Sequence, residues 1–394
     1  NLIGICFPPH EKNTYGRKLF YVLSNFYLKF QVLCNNGGLV DIPIKALPAT
    51  VEHLSLSKNH FPVIRSEAFS GLRALRRLSL DGNSITALRP FAFRGLPRLK
   101  ELSIQHTSLD NIAQFTFAGL QNITSILLGY NRIKRIEGYA FAGTSNIKHL
   151  LLNNNPTHTI ETNAFSGLAN VEHLVFPSGI KNIEIDAFSG LTFVSSMKLA
   201  FMDLSTVRRY TFRGLLHVNV LSIQESDLGI IDFGAFEGMS YIGLLNVINN
   251  KIDGIREFNI TYNNSVRAIR FHGNHLLENP DPEAVIIEGV VKVAVTANHF
   301  PCDCKARGIA DGPFGNSTTG DFLTRNYCIS PLEARGKKMK EVEAQFTEGC
   351  QRKVTSGQGP GELASPANVS KPLIILILYS CVVICVNFMI QKIS

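Results

Sequence analysis

The chain has 394 residues, 45% hydrophobic and 18% charged, with a formal net charge of +8. That balance excludes a disordered polyelectrolyte and fits a folded protein, and one long repeat array is admissible at this length. The positive charge favours acidic partners, such as sulfated glycans or anionic surfaces, and says nothing about fold.

The chain opens at Asn1 without Met or a basic-then-apolar leader, so either a signal peptide has been removed or the chain is a fragment. Residues 1–48 carry Cys6 and Cys34, separated by an apolar, Tyr/Phe-rich stretch from Arg17 to Phe30. From 49 to 297 one period governs: Phe69, Phe93, Phe117, Phe141, Phe165, Phe188, Phe212 and Phe236 recur every 24 residues, with a single interval of 23. Each Phe stands in a similar context, as in Ala68-Phe69-Ser70-Gly71-Leu72. An L-x-L core such as Leu78-Ser79-Leu80 comes next, then Asn83 and Ile85.

Alternating Leu predicts a short strand with one buried face, paired with its neighbours in a continuous parallel sheet. The Asn after each strand, at Asn59, Asn83, Asn131, Asn155, Asn250 and Asn274, has an amide able to satisfy backbone groups in the turn. Thr107, Gly179, Met202 and Ser226 interrupt this ladder, so local irregularity is expected there. The Phe fills the turn, and the Gly after it allows a bend that a side chain would obstruct.

The residue inside each L-x-L faces outward, and three successive ones are apolar: Leu127, Leu151 and Val175. With Tyr130 and, further on, Phe201, they predict an exposed hydrophobic strip as a partner-binding surface. Arg73, Arg76, Arg77, Arg98, Lys337 and Lys338 are candidate contacts for a sulfated glycan. His53, His106, His149 and His173 fall on the strand face and are expected in different columns. No nucleophile motif, phosphate-cradling glycine loop or paired carboxylate accompanies them, so a binding protein is expected, not an enzyme, with no cofactor, no metal and no nucleic acid.

Residues 298–351 hold Cys302, Cys304, Cys328 and Cys350. Their crowding suggests disulfides in an oxidising compartment, with four cysteines allowing three pairings. A zinc site is the alternative, though one residue between Cys302 and Cys304 is not zinc spacing. Asn122, Asn259, Asn263, Asn316 and Asn368 are N-glycan acceptors by motif. Residues 352–371 read as a flexible stalk. Residues 372–390 are almost wholly apolar, and as a helix would reach about 28 Å, close to a hydrocarbon core. They are expected to be either a spanning helix or a cleaved glycolipid-anchor signal. The tail 391–394 is expected to be too short for a signalling domain.

The pattern L-x-x-L-x-L-x-x-N-x-I at this period resembles the leucine-rich repeat, in its typical 24-residue extracellular class. The resemblance implies an α/β solenoid, a horseshoe with a parallel concave sheet, disulfide caps and a C-terminal membrane anchor segment. Cys34-Asn-Asn-Gly-Gly-Leu39 resembles the end of the family's N-terminal cap and Cys6-Phe-Pro-Pro its beginning, which implies a Cys6–Cys34 bond. The further cysteines usual between them are missing. Asn298-His-Phe-Pro301-Cys302-Asp-Cys304, with Cys328 and Cys350, resembles the C-terminal cap and implies Cys302–Cys328 and Cys304–Cys350. The family's Trp after C-x-C is absent, since the chain has no Trp. Connectin- and chaoptin-like adhesion proteins and Toll-like or variable lymphocyte receptor ectodomains are similar. They imply a plasma-membrane protein whose extracellular part binds a protein ligand or a second copy on another cell. Adhesion is the first reading, and immune or growth-factor recognition the second.

Overall fold

The structure is a computed structural model that describes residues 2–5, 20–23, 30–316 and 321–345. Cys6, Cys350, Asn368 and the segments 352–371, 372–390 and 391–394 lie outside the described residues.

Each turn of the chain contributes one strand to a 14-stranded sheet. From His53–Ser55 to Lys292–Thr296 every neighbouring pair is parallel. Residues one period apart stand side by side, so Leu78, Leu102, Ile126, Leu150 and Leu174 form one inward row, all buried. The row extends past the first expected repeat. Phe30–Leu33 pairs in register with His53–Ser55, and Leu2–Ile5 follows it in parallel. Phe20–Leu23 closes this end antiparallel to Leu2–Ile5. The atypical stretch between the N-terminal cysteines thus supplies sheet strands.

Strand length changes along the array. The strands from His53–Ser55 through Ser125–Leu127 have three residues. Asn146–Leu151 and Asn170–Val175 have six, Phe193–Ala200 eight, and Val218–Gln224 and Ile242–Ile248 seven. The lengthening covers the region where the Asn ladder weakens.

The Asn side chains do what their position demands. Asn155 Nδ2 donates to Leu128 O and Leu152 O, both at 2.9 Å, and its Oδ1 accepts from Ile133 N. At two of the four interruptions a hydroxyl takes over. The Thr107 hydroxyl and backbone N–H both donate to Asn131 Oδ1, and Ser226 Oγ accepts from Met202 N while the Ser226 N–H donates to Asn250 Oδ1. Gly179 and Met202 have no polar side chain that could take over. The ladder also runs further than its 24-residue period: Asn274 N donates to Asn298 Oδ1 and Asn298 N to Asn326 Oδ1.

Behind the sheet the repeated Phe side chains stack face to face from Phe69 to Phe236, with centroids 5.2 to 6.5 Å apart. Such offset ring pairs add attraction beyond their burial. Gly167, at φ +100°, shows why the turn needs glycine: a Cβ there would stand 2.8 Å from Ala142 Cα.

The α/β expectation is corrected for the repeats, whose back carries two-residue strands such as Asn111–Ile112, Arg135–Ile136, Thr159–Ile160 and Asn182–Ile183, paired in a four-stranded ladder. The physical reason is the left-handed residues that recur there, as at Tyr139 and Gly143, which interrupt any α-helix. Among the described residues α-helix occurs at Lys305–Asp311 and Phe322–Arg325, both in the C-terminal cap. There Cys302 and Cys328 form a disulfide, and Tyr327–Ser330 pairs with His299–Pro301. Cys34 and Cys304 are disulfide-bonded as well.

Candidate binding face

The outward positions of the long sheet form a grid. In one column Ser103, Leu127, Leu151, Val175 and Lys198 stand side by side, because their strands pair in register. Leu127, Leu151 and Val175 are partly exposed, so three apolar side chains meet solvent between a serine and a lysine. Tyr130, 50% exposed, lies three residues beyond Leu127, and its ring stacks on His106 with centroids 4.6 Å apart. Phe201, 55% exposed, follows the strand Phe193–Ala200, and so lies three turns from Tyr130 instead of beside it. Both have left-handed backbone, at φ +58° and +55°, uncommon for bulky residues.

The expectation that the histidines occupy different columns is corrected. His149 pairs with His173 in register, and the rings stack at 5.2 Å, tilted by 7°. His53 belongs to the same column, through Arg77, Glu101 and Ser125. The cause is arithmetic: a 24-residue period places His149 and His173 at one position of adjacent turns, and that interval was visible in the sequence. The pair borders Leu151 and Val175, two residues further along the same strands.

The basic residues do not form one patch. Arg76 pairs with Glu52 at 3.4 Å and Arg77 with Glu101 at 3.3 Å, so both are partly neutralised. Arg73 and Arg98 are exposed on the early repeats, and Lys337 and Lys338 are exposed in the C-terminal cap, beyond the opposite end of the sheet. In that cap burial holds the His299 imidazole below its usual range, with His275 adding to the effect. Burial lowers His272 too, helped by Arg270. Ion pairs with Lys340 and Arg307 hold the Glu343 carboxyl below the ordinary carboxylate range.

Among the described residues no group of three or more His, Cys, Asp or Glu is placed to hold a metal, and no helix is long and apolar enough to cross a membrane. Of the glycan acceptors, Asn122, Asn263 and Asn316 are exposed, and Asn259 is half-buried.

Stacked parallel strands with one inward row and one outward grid define a solenoid. Residues 32–85, 49–109, 73–133, 97–156 and 121–176 match the leucine rich repeat, and residues 158–276 match the BspA type leucine rich repeat region. The chain belongs to the leucine-rich-repeat family. The two repeat types meet where the strands lengthen, between Ser125–Leu127 and Phe193–Ala200. No curated protein matches the chain. Among solved structures it is similar to the leucine-rich-repeat part of FLRT2 in an octameric complex with latrophilin 3 and Unc5D, at 17% identity and a TM-score of 0.50, covering 79% of this chain and 94% of that one. It is also similar to TLR13 in a complex with ssRNA13, at 17% identity and a TM-score of 0.47, over 77% of this chain. Mouse RP105 in the RP105/MD-1 complex gives 15% identity and a TM-score of 0.47, over 79% of this chain. The chain spans 55% of the TLR13 chain and 53% of the RP105/MD-1 match.

Proposed function

We propose that this protein is an extracellular binding protein, tethered at the cell surface through residues 372–390, that takes a protein ligand on the outer face of its long sheet. The observation that supports this reading is the row Leu127, Leu151, Val175. The three stand on neighbouring strands and in register, with Tyr130 exposed beside them. Water-facing apolar side chains held on a rigid sheet lose little conformational freedom when covered, so a complementary surface gains most of the transfer free energy. Cell adhesion, with a second copy or another protein on a facing cell, is the first use. Cysteines paired as disulfides favour an oxidising compartment, hence the outside of the cell.

The test is a mixing assay with cells expressing the full chain, against the same cells expressing Leu151→Asp with Val175→Asp. Aggregation of the first and a roughly tenfold or greater loss in the second is expected, the size of effect that central interface residues give. Undiminished aggregation by a correctly folded variant would remove the strip from the binding site. If wild-type cells stay dispersed, the second use applies: recognition of a soluble or foreign ligand as an immune or growth-factor receptor or co-receptor. Release of the chain by a phosphatidylinositol-specific phospholipase distinguishes a glycolipid anchor from a spanning helix. Sulfated-glycan binding would rest on Arg73, Arg98, Lys337 and Lys338, and retention on heparin at low salt is its measurement.

A further inference from the structure

Two glycan acceptors lie four residues apart at the back of the later repeats, and they differ in structure. Asn259 is the middle residue of the strand Phe258–Ile260, which pairs in parallel with Val285–Ile287 and puts Asn259 opposite Ile286. Its Nδ2, the atom a glycan would occupy, donates to Glu257 Oε1 at 3.2 Å. The other Glu257 oxygen accepts from Gly234 N at 2.6 Å, so this carboxylate ties Asn259 to the preceding turn. Asn259 Oδ1 is shut off from solvent. The amide is thereby held at Nδ2, with Oδ1 enclosed but without a hydrogen-bond partner.

Asn263 is the contrary case. It stands exposed in the 3-10 turn Tyr262–Asn264. Its neighbour Asn264 is buried and anchors the turn, donating to Phe236 O at 3.0 Å and Met239 O at 2.9 Å and accepting from Thr261 N. The acceptor therefore projects from a rigid mount. Both asparagines line one groove with Phe233, Glu237 and Glu257, and Phe233 is 60% exposed there.

We propose that Asn263 carries the N-glycan of this pair and Asn259 carries none, and that the Asn263 glycan covers the groove and the exposed Phe233 ring. The inference rests on the extracellular reading given above. Transfer of the glycan precedes folding, so the selection acts at the folding step. A chain modified at Asn259 must fit a sugar between Glu257 and the partner strand, and it would not complete these turns. A chain modified at Asn263 loses nothing, since its side chain already faces water. With the groove covered, this part of the back is closed to protein partners while the long-sheet face stays open.

The experiment uses the full chain expressed in cultured animal cells and recovered from the cell surface. Tryptic peptides are treated with peptide N-glycosidase in heavy-oxygen water, which converts each glycosylated Asn to labelled Asp. Fragment ions of the peptide from Glu257 to Arg267 separate the two positions. Label at Asn263 and none at Asn259 is expected, and Asn263→Gln should raise gel mobility by one glycan. Label at Asn259 overturns the inference, as does an unlabelled Asn263 in material labelled at Asn122 or Asn316. No label at any acceptor overturns the extracellular reading, and the inference with it.

Discussion

At the scale of single residues, the Asn ladder shows how one side chain can serve two turns at once. Asn155 satisfies carbonyls of its own turn and the preceding one, Leu152 O and Leu128 O, and fixes Ile133 N. Asn155→Ala leaves these groups buried without partners, at a cost of roughly 2–4 kcal/mol in unfolding free energy, measurable by denaturant titration. A loss below half a kcal/mol would mean that water replaces the amide. The periodic Asn residues were legible because one spacing repeats, whereas Asn326 was hidden by a 28-residue interval inside the cap. The substitutes at Thr107 and Ser226 were hidden for another reason: a hydroxyl's partner depends on geometry that spacing does not give.

Titration belongs to this scale too. His272 and His299 are both held below their ordinary range by burial, so the folded state favours their neutral forms. Their contribution is complete above the usual imidazole range, near pH 6.5, and is lost as the pH falls below it. The thermal midpoint should therefore drop between pH 7.5 and pH 5.5, and His299→Phe should reduce that drop. An equal drop in the variant would assign the pH dependence elsewhere. His299 stacks on Tyr327 with centroids 5.4 Å apart, so the phenyl ring retains the contact.

At the scale of elements, the terminal turns are where the array is thinnest. The C-terminal cap joins the stack by the back-side strand Tyr327–Ser330, by the final Asn rungs, by Phe314 packed on Phe258 and Phe271, and by Asn279 donating to Pro301 O. The Cys302–Cys328 bond closes 26 residues of that cap. Cys302→Ser with Cys328→Ser should cost about 2–4 kcal/mol and expose residues 298–345 to protease before the repeats. Cleavage that begins in the repeats would show that the cap is not the weak point. Strand length was the element-scale property the letters did not give: Leu78-Ser79-Leu80 and Leu221-Ser222-Ile223 differ by one aliphatic residue, yet the strands have three and seven residues. Pairing on both sides does not decide it, since Arg77–Ser79 is paired on both sides and still has three residues. The outward grid was legible in part. Its apolar row follows from alternation, but the His149–His173 contact needed the same counting applied to a second column.

At the scale of the molecule, one geometric fact organises the rest. The hydrogen bonds between strands of the long sheet run along the direction in which turns stack, since each strand bonds only to the turns before and after it. A tether that pulls on one end of such an array loads these bonds in series, and the array yields at whichever turn is terminal. Tension should therefore peel the protein turn by turn, each step freeing about 24 residues, or roughly 80 Å of extended chain. Single-molecule stretching would show this as evenly spaced steps, and a single abrupt release would contradict it. Force applied across the stack, as by a partner dragging sideways on the sheet, meets covalent chain instead. A protein built this way holds firmly against shear and unwinds under end-on pull.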